Sequence, residues 1–363
     1  MAYQRLPYAA AKAFCADVFC SYGFDREQSR RITDVLLEAD LSGIESHGIQ
    51  RMVRYDFEIE SGYVDTKAEP ETVYETPISA VIDAKMAMGQ LAAYDAMRLA
   101  IEKAQRNGVG FVTVRNSNHY GIAGYYANMA AKQDLVGICM TNTEAIMVPT
   151  FAREAMLGTN PIAFAMPAEP VNYLFDAATT VVPRGKLEVY AKRGDETPVG
   201  WAVDEKGNDC TDPSYVLKNI IGKLGGGILP LGGSGEKNSG YKGYGFGMLC
   251  EICTAIFSLG ATSDRVNRTP GKVETCHFFG ACDYGMFGDK AAIKRHFSEY
   301  LQRVREAEKA EGQARVYIHG EKEFEAHAER MEKGILLNEK TLEEMRRIAI
   351  KQNVPADALD TVF

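Results

Sequence analysis

The fold is decided at Val109-Gly110-Phe111-Val112-Thr113-Val114, a run that leads directly into Asn116-Ser117-Asn118-His119-Tyr120-Gly121. The first run is apolar and rich in β-branched residues, which predicts a buried strand. The second run is polar, so that His119 follows the carboxyl end of that strand. Helical spacing of apolar residues then resumes over 122–129. This order is typical of an α/β domain, in which sites form where strands end.

Hydrophobic periodicity extends the prediction on both sides of this strand. The N-terminal and C-terminal regions favour helices, whereas the middle of the chain mixes helices and strands. The predicted elements are two helices within 8–42, a helix that follows His47 and ends at Ser61-Gly62, an extended link at 70–77, a strand at 79–83, a helix over about 89–107, a strand at 135–141, a glycine-rich run at 240–247 that leads into a helix at 248–259, and charged helices over 289–351 with a solvated helical insert at 303–312.

Length, composition and charge limit the classes of protein to consider. The chain has 363 residues, 46% hydrophobic and 25% charged, which is typical of a globular protein with two domains. Its net charge of −8 argues against nucleic acid or an anionic membrane as a partner, although a local cationic pocket can still bind a small anion. The sequence lacks a long apolar span, a signal peptide and a disulfide-rich composition. We therefore expect a cytoplasmic protein.

A single CxxC motif, Cys250-Glu251-Ile252-Cys253, raises the question of a metal site. Cys276-His277 with Cys282 does not supply a second pair at the spacing that zinc sites use. We interpret Cys250 and Cys253 as two positions on a buried helix, and we predict no metal.

A second histidine lies in Glu45-Ser46-His47-Gly48-Ile49-Gln50-Arg51. If this stretch opens a helix, His47 and Arg51 share one face. A guanidinium binds a carboxylate through two parallel hydrogen bonds, and an imidazole one turn away can transfer a proton beside it. This pairing suits chemistry on a 2-hydroxy or 2-keto acid. The alternative is that His47 and His119 are hydrogen-bonded structural residues.

The usual signatures of nucleotide binding are missing: no G-x-G-x-x-G follows a predicted strand, and no P-loop is present. The glycine-rich run around Lys242 could still approach a phosphate closely, with the lysine adding positive charge. Tight packing of a glycine-rich helix explains the same run equally well.

An ordered set of motifs resembles the malate/L-lactate dehydrogenase family that lacks a Rossmann fold, which includes sulfolactate dehydrogenase, ureidoglycolate dehydrogenase and diketogulonate reductase. Each motif alone is weak, but the set in this order is specific. The matching pieces, over about residues 8–350, are Ala39–Gly48 with Arg51, Asn116–Gly121, Leu157–Ala163, Asp176–Thr180, Arg184–Lys186, Gly200–Ala202, Leu229–Gly233 and Tyr241–Gly245.

The resemblance implies an α/β protein with a central cofactor domain, a mixed and mostly antiparallel sheet, and a helical domain built from both chain ends. We accordingly divide the chain into a helical N-terminal part at 1–77, a cofactor-binding and catalytic domain at 78–288, and a helical C-terminal part at 289–363 that packs with the N-terminal part. The resemblance also implies a homodimer.

The resemblance assigns catalytic roles to residues already singled out. Arg51 is expected to bind the substrate carboxylate, with Ser46 beside the site. His47 and His119 both resemble the family's acid/base residues, and the resemblance does not choose between them, although we favour His119 at its strand end. Asp176 is expected to orient a histidine or contact the cofactor, and a structural role at the strand end fits it equally well.

A nicotinamide cofactor is implied, with NAD preferred over NADP. A 2′-phosphate would need a cation, for which Arg184 and Lys186 are candidates, but both also fit a plain turn. Thr180 stands where the family often has serine, and it keeps the hydroxyl. The expected cofactor contacts are Asn142, Thr143, Asp176, Thr179, Thr180, Lys242 and Gly243.

The expected substrate is a small anionic 2-hydroxy or 2-keto acid, either malate or lactate, with ureidoglycolate or sulfolactate as the alternative. Malate needs a second cation in the pocket, and Arg54 and Arg153 are candidates that the sequence does not place. A silent binding protein would be expected to lack His47, Arg51 or His119, and all three are present.

Overall fold

The structure is a computed structural model that describes residues 3–362, with helices from both chain ends beside a central sheet. In chain order the elements are β1 (Tyr3–Leu6), α1 (Tyr8–Ser21), α2 (Arg26–Leu41), α3 (Met52–Glu60), β2 (Glu71–Glu75), β3 (Ser79–Asp83), α4 (Gly89–Asn107), β4 (Val109–Ser117), α5 (Ala123–Ala131), β5 (Val136–Thr141), β6 (Ile162–Met166), β7 (Tyr173–Ala177), α6 (Arg184–Arg193), β8 (Ala202–Val203), α7 (Pro213–Gly222), β9 (Gly227–Ile228), α8 (Gly240–Glu251), β10 (Thr275–Cys282), α9 (Lys290–Arg305), α10 (Glu321–Lys333), β11 (Ile335–Asn338) and α11 (Glu339–Gln352).

The central sheet has seven strands in the order β2-β3-β4-β10-β5-β6-β7. β3 and β4 are parallel, and the remaining pairs in this sheet are antiparallel. The predicted mixed, mostly antiparallel sheet is therefore confirmed. Helices α4 and α5 pack closely on the sheet because Gly110 and Gly137 have no side chain. A Cβ atom on either glycine would lie only 2.0 Å from a carbonyl oxygen of the helix.

Several strands end or begin at the same end of the sheet. His277 in β10 pairs with Val114 of β4 and with Thr141 of β5. Ile162 at the start of β6 pairs with Ala177 at the end of β7. The segments that follow β4, β5 and β7 therefore leave the sheet at the same end. β4 ends at Ser117, so the prediction that His119 follows the carboxyl end of a strand is confirmed.

The helical layer combines both chain ends. β1 pairs with β11 in antiparallel register, from Tyr3 opposite Asn338 to Leu6 opposite Ile335. One core cluster joins buried side chains of α1, α2 and α3 to those of β11 and α11. The predicted helical part from both chain ends is thus confirmed, although neither β1 nor β11 was predicted.

Helix α9 packs away from this layer, with Leu301 against Ala168 and with Phe297 edge-on to Tyr173, at a centroid distance of 5.9 Å. The division of the chain at residues 77/78 and 288/289 stays a prediction. No helix within residues 3–362 is long and apolar enough to cross a bilayer.

Three segments differ from the sequence prediction. The extended link is the edge strand β2. The glycine-rich run at 240–247 is itself helical, and the predicted helix at 248–259 runs through a turn of π-helix at Ile252–Ile256 and ends at Ser258. The charged insert is helical only to Arg305, because residues 306–312 are exposed and have no apolar face to bury.

Candidate active site

The segment around His47 consists of two short 3-10 turns, Glu45–His47 and Ile49–Arg51, separated by an extended Gly48. The expectation of one helix with His47 and Arg51 on the same face is therefore wrong. The two side chains are nevertheless close enough for the charge of Arg51 to contribute to the lowered pKa of His47.

Asp40 and Arg330 hold this segment in place. The buried Asp40 carboxyl group accepts the Ile49 N–H at 2.7 Å, and a Cβ atom on Gly48 would lie 2.0 Å from its Oδ1, so only glycine fits there. Arg330 of α10 donates to the Asp40 carbonyl at 2.6 Å and to Glu45 Oε1 at 3.1 Å. The C-terminal part of the chain therefore fixes the position of an N-terminal histidine.

The imidazole rings of His47 and His119 stack, with centroids 5.6 Å apart and an angle of 24° between the planes. Ser46 Oγ lies 2.9 Å from Nδ1 of His47, and the Tyr55 hydroxyl lies 2.7 Å from Nδ1 of His119. The structure therefore brings together the two histidines and Ser46, which were predicted, with Tyr55, which was not. The spacing of four residues from Arg51 to Tyr55 was the signal that could have identified it.

Both histidines are neutral near pH 7 in this state. Desolvation, followed by the charges of Arg51 and Arg54, lowers the pKa of His47 to about 4. Desolvation also holds the pKa of His119 well below its usual value, with smaller contributions from Arg54, His47 and Arg51. A neutral imidazole can accept a proton, and a bound anion would offset the arginine charges.

Arg51 and Arg54 act on both histidines through their charges, and Arg184 acts on Arg51. We call Arg51, Arg54 and Arg184 the arginine group. Desolvation lowers the pKa of Arg51, and the nearby charges of Arg54 and Arg184 lower it further. Arg54 also pairs with the mostly buried Glu58 at 2.6 Å, and Arg184 at the start of α6 pairs with Glu188 at 3.0 Å. Positive charge crowded beside neutral rings favours an anionic ligand.

Arg153, the other predicted candidate for a second cation, lies in a different region. Its side chain is exposed, and its carbonyl accepts the Gly226 N–H at 2.8 Å beside the small β8–β9 sheet. The described contacts do not bring it to the histidines.

Asp176 lies on β7 and faces a cleft of about 270 Å³. Its Oδ2 accepts the Gly124 N–H at 2.6 Å, within the first turn of α5, where a carboxylate stabilises a helix. The carboxylate is accessible from the cleft, but the protein around it raises its pKa to about 6. The described contacts include no hydrogen bond from Asp176 to either histidine. Of the predicted roles, the structural role at the strand end is therefore the one for which the structure shows a partner, the Gly124 N–H.

The predicted cofactor residues after β5 and β7 meet around Thr159. Thr143 Oγ1 accepts the Thr159 N–H at 3.0 Å, and Thr179 Oγ1 donates to the Thr159 carbonyl at 3.1 Å. Asn142 uses its amide within the protein, with Nδ2 donating to Ala261 O and Oδ1 accepting from Cys276 N, both at 2.8 Å. Asn142 therefore connects the end of β5 to Ala261 and to the start of β10.

Helix α8 lies beside this threonine cluster. A Cβ atom on Gly243 would lie 2.3 Å from the carbonyl oxygen of Leu231, whose N–H donates to the Thr179 carbonyl at 2.8 Å. Gly243 is therefore required by packing, whereas Lys242 in the same first turn is exposed. Thr180 has a buried hydroxyl without a partner in the described chain.

The donor set around α8 fits a phosphate-bearing cofactor. It offers an exposed lysine in the first turn of a twelve-residue helix, and threonine hydroxyls at the end of the sheet that also carries His119. Cys250, in the last turn of α8, is buried and donates to the Asn160 carbonyl at 3.1 Å.

Comparison with known proteins identifies the class to which this fold and site belong. The sequence model of the malate/L-lactate dehydrogenase family matches residues 6–346, and the chain belongs to that family. It is 42% identical to the malate dehydrogenase of Pyrococcus abyssi over 97% of this chain and 96% of that protein. It is 36% identical to the malate/(S)-sulfolactate dehydrogenase of Methanothermus fervidus, over 92% of this chain and 93% of that protein.

Solved structures show the same likeness. The malate dehydrogenase of Entamoeba histolytica superposes with a TM-score of 0.93 at 34% identity, covering 98% of this chain and 99% of that one. The family membership confirms the predicted class of enzyme, an oxidoreductase of small 2-hydroxy acids that uses a nicotinamide cofactor. The individual site residues stay predictions.

Proposed function

We propose that this protein is a malate dehydrogenase that acts at the stacked histidines and the arginine group. The proposal rests mainly on the observation that Arg54 and Arg184 each lie close enough to Arg51 for their charges to lower the pKa of Arg51. Malate and oxaloacetate carry a carboxylate at each end, so one guanidinium can bind each end. Lactate has a single carboxylate and leaves the second cation without a role.

The chain's own residues would hold the substrate and move one proton. A bound nicotinamide cofactor supplies or accepts the hydride at carbon 2. Arg51 binds the adjacent carboxylate and orients carbon 2. The neutral imidazole of His119 takes the hydroxyl proton during oxidation, and its protonated form returns that proton to the oxygen during reduction. His47, stacked on His119, is the alternative proton carrier.

We propose NAD as the cofactor. Lys242, at the start of α8, and the threonine cluster are the residues that would hold its phosphates. The charge of Arg184 lowers the pKa of Arg51, which supports a role for Arg184 at the substrate carboxylates and not at a 2′-phosphate. Fluorescence titration with NADH and NADPH tests this, and tighter binding of NADPH would contradict it.

A second candidate substrate is sulfolactate, which carries a sulfonate in place of the second carboxylate. Guanidinium groups bind both anions, so the arginine group accommodates either. The assay follows NADH absorbance at 340 nm with oxaloacetate, sulfopyruvate, pyruvate and the keto acid of ureidoglycolate. We expect the highest kcat/KM for oxaloacetate, and faster turnover of pyruvate would contradict the proposed substrate.

We also propose that the protein is a homodimer. Large apolar side chains remain exposed along α8 and the turns that follow it: Tyr241, Phe246, Met248, Leu249, Ile252, Ile256, Phe257 and Leu259. An apolar surface of this extent is typical of a protein–protein interface. Light scattering should give twice the mass of one chain, and Leu249→Glu should lower it. A monomeric wild type would contradict the proposal.

A further inference from the structure

Tyr55 lies at the base of the stacked histidines and is almost completely buried, with 1% of its surface exposed. Its ring packs between Phe19, at a centroid distance of 6.5 Å, and His119, at 5.8 Å. Its hydroxyl lies 2.7 Å from Nδ1 of His119. Because little water reaches this hydroxyl, water does not compete with the imidazole for its hydrogen bond.

A second group competes for the same ring nitrogen. The Gly121 N–H lies 3.4 Å from Nδ1 of His119 and can only donate. It therefore favours the tautomer in which Nδ1 carries a lone pair and Nε2 carries the proton. That tautomer cannot accept a substrate proton at Nε2. The Tyr55 hydroxyl differs because it can either donate to Nδ1 or accept from it.

Gln90, at the start of α4, provides a partner for the proton of Tyr55. It is completely buried, and it lies close enough to Tyr55 to act on the pKa of the phenol, which it lowers. Neither Oε1 nor Nε2 of Gln90 has a hydrogen-bond partner within residues 3–362. When Tyr55 accepts from Nδ1–H, its own proton can therefore be donated to Gln90 Oε1.

We propose that Tyr55 is a positioning residue that keeps the proton of neutral His119 on Nδ1, so that Nε2 is free to exchange a proton with the substrate hydroxyl. The inference deepens the proposed function and rests on it. During oxidation the O–H bond of the substrate breaks and an Nε2–H bond forms, while Nδ1–H stays bonded to the Tyr55 oxygen. During reduction the same proton returns to the substrate oxygen, with no net change at Tyr55.

The test is Tyr55→Phe, which keeps the buried ring and removes the hydroxyl. We expect kcat for oxaloacetate reduction to fall about tenfold to a hundredfold, with KM changed by less than about twofold, because binding at Arg51 is untouched. The matched control is Tyr22→Phe, which removes a hydroxyl bonded to Asp56 in the same helical layer. It should stay within about twofold of wild type, the ordinary scatter for a residue outside the site.

A second readout reports the tautomer directly. ¹⁵N NMR of the histidine side chains, with His119 assigned from a His119→Gln sample, should show its proton move from Nδ1 to Nε2 in Tyr55→Phe. Gln90→Met should move it in the same direction while leaving the phenol in place. If neither variant changes the tautomer, or if Tyr55→Phe has the kcat of Tyr22→Phe, the role of Tyr55 is wrong.

The NMR measurement separates this inference from the proposed function. A wild type that is inactive with every 2-keto acid and either cofactor would overturn the dehydrogenase proposal and the catalytic part of this inference together. A Nδ1–H proton on His119 in folded wild type, lost in Tyr55→Phe, would then still establish the hydrogen-bond switch. An active wild type with Nε2–H on His119 would overturn the inference alone.

Discussion

The neutral imidazoles of His47 and His119 lie among guanidinium groups, and this arrangement determines how the folded chain responds to acid. The pKa of His47 is lowered to about 4, whereas an unfolded histidine titrates near 6.5. As the pH falls through about 6.5 the unfolded chain takes up protons first, so stability present above that pH is lost towards pH 4.

His47→Gln should remove part of this acid sensitivity. We expect the difference in unfolding free energy between pH 7.5 and pH 5 to shrink by on the order of 1 kcal/mol, a figure that allows for the partial exposure of the ring. Urea denaturation at the two pH values measures it. Equal pH dependence in the variant and wild type would contradict the lowered pKa.

Arg51 is the residue on which substrate binding is predicted to depend most. Arg51→Lys keeps the charge but loses the planar fork, so we expect a higher KM for oxaloacetate, a lower kcat and unchanged NADH affinity. Arg153→Lys, at an exposed arginine remote from the histidines, is the control. Unchanged kinetics of Arg51→Lys on every 2-keto acid tested would remove Arg51 from the substrate site.

Helix α4 begins directly against the His119 segment. A Cβ atom on Gly89 would lie 2.4 Å from the carbonyl oxygens of Asn118 and His119, and backbone cannot move aside as a flexible side chain can. Gly89→Ala should therefore displace His119 and lower kcat, by about tenfold or more. Gly222→Ala, whose nearest contact is the Leu224 side chain at 3.1 Å, should have wild-type activity in the same assay.

Helix α8 is the element on which cofactor binding is predicted to depend. Lys242→Ala should weaken NADH binding measured by fluorescence quenching, because it removes an exposed charge from the first turn. Lys237→Ala, a nearby exposed lysine before the helix, should bind NADH as wild type does. Equal affinities in the two variants would indicate that the phosphates bind elsewhere. Gly243→Val is a poor probe because it would displace the helix from Leu231.

The elements differ in how well the sequence predicts them. β4 was predicted because its pattern is local: an apolar run followed by polar residues. The start of α8 was not predicted, because glycine has low helix propensity and this helix depends on tertiary packing, with Gly240 against the Gly233 carbonyl and Gly247 against Met147. Periodicity therefore indicated where His119 lies but not which backbone surrounds Gly243.

The same limit applies to the histidine pair. The sequence singles out His47 and His119 separately, but their stacking depends on contacts between distant positions. Asp40 and Arg330 hold the His47 segment, and Arg330 is 290 positions from Asp40. Tyr55 approaches His119 across 64 positions. Local patterns carry no information on such contacts, which explains why the candidate residues were predicted and their supporting residues were not.

At the scale of the whole molecule, Arg330 links the C-terminal helices to the site. Arg330→Ala should lower stability by about 1–3 kcal/mol, since it removes the charge-assisted hydrogen bonds to the Asp40 carbonyl and the Glu45 carboxylate, and it should reduce kcat by releasing the His47 segment. Arg346→Ala, which removes an exposed pair with Asp360, is the matched control. Wild-type kcat in a destabilised Arg330→Ala would show that the segment holds its position without this contact.

The pairing of β1 with β11 also has a consequence for synthesis on the ribosome. Arg5 donates to the carbonyl of Gly334, which is 329 positions further along the chain. The strands from β2 to β7 emerge well before β11, so the nascent sheet can begin to form while β1 still lacks its partner. The segment that carries His47 has Asp40 from the start, but it acquires the contact with Arg330 only after that residue has left the exit tunnel. A ribosome stalled before that point would therefore display a partly folded chain without activity.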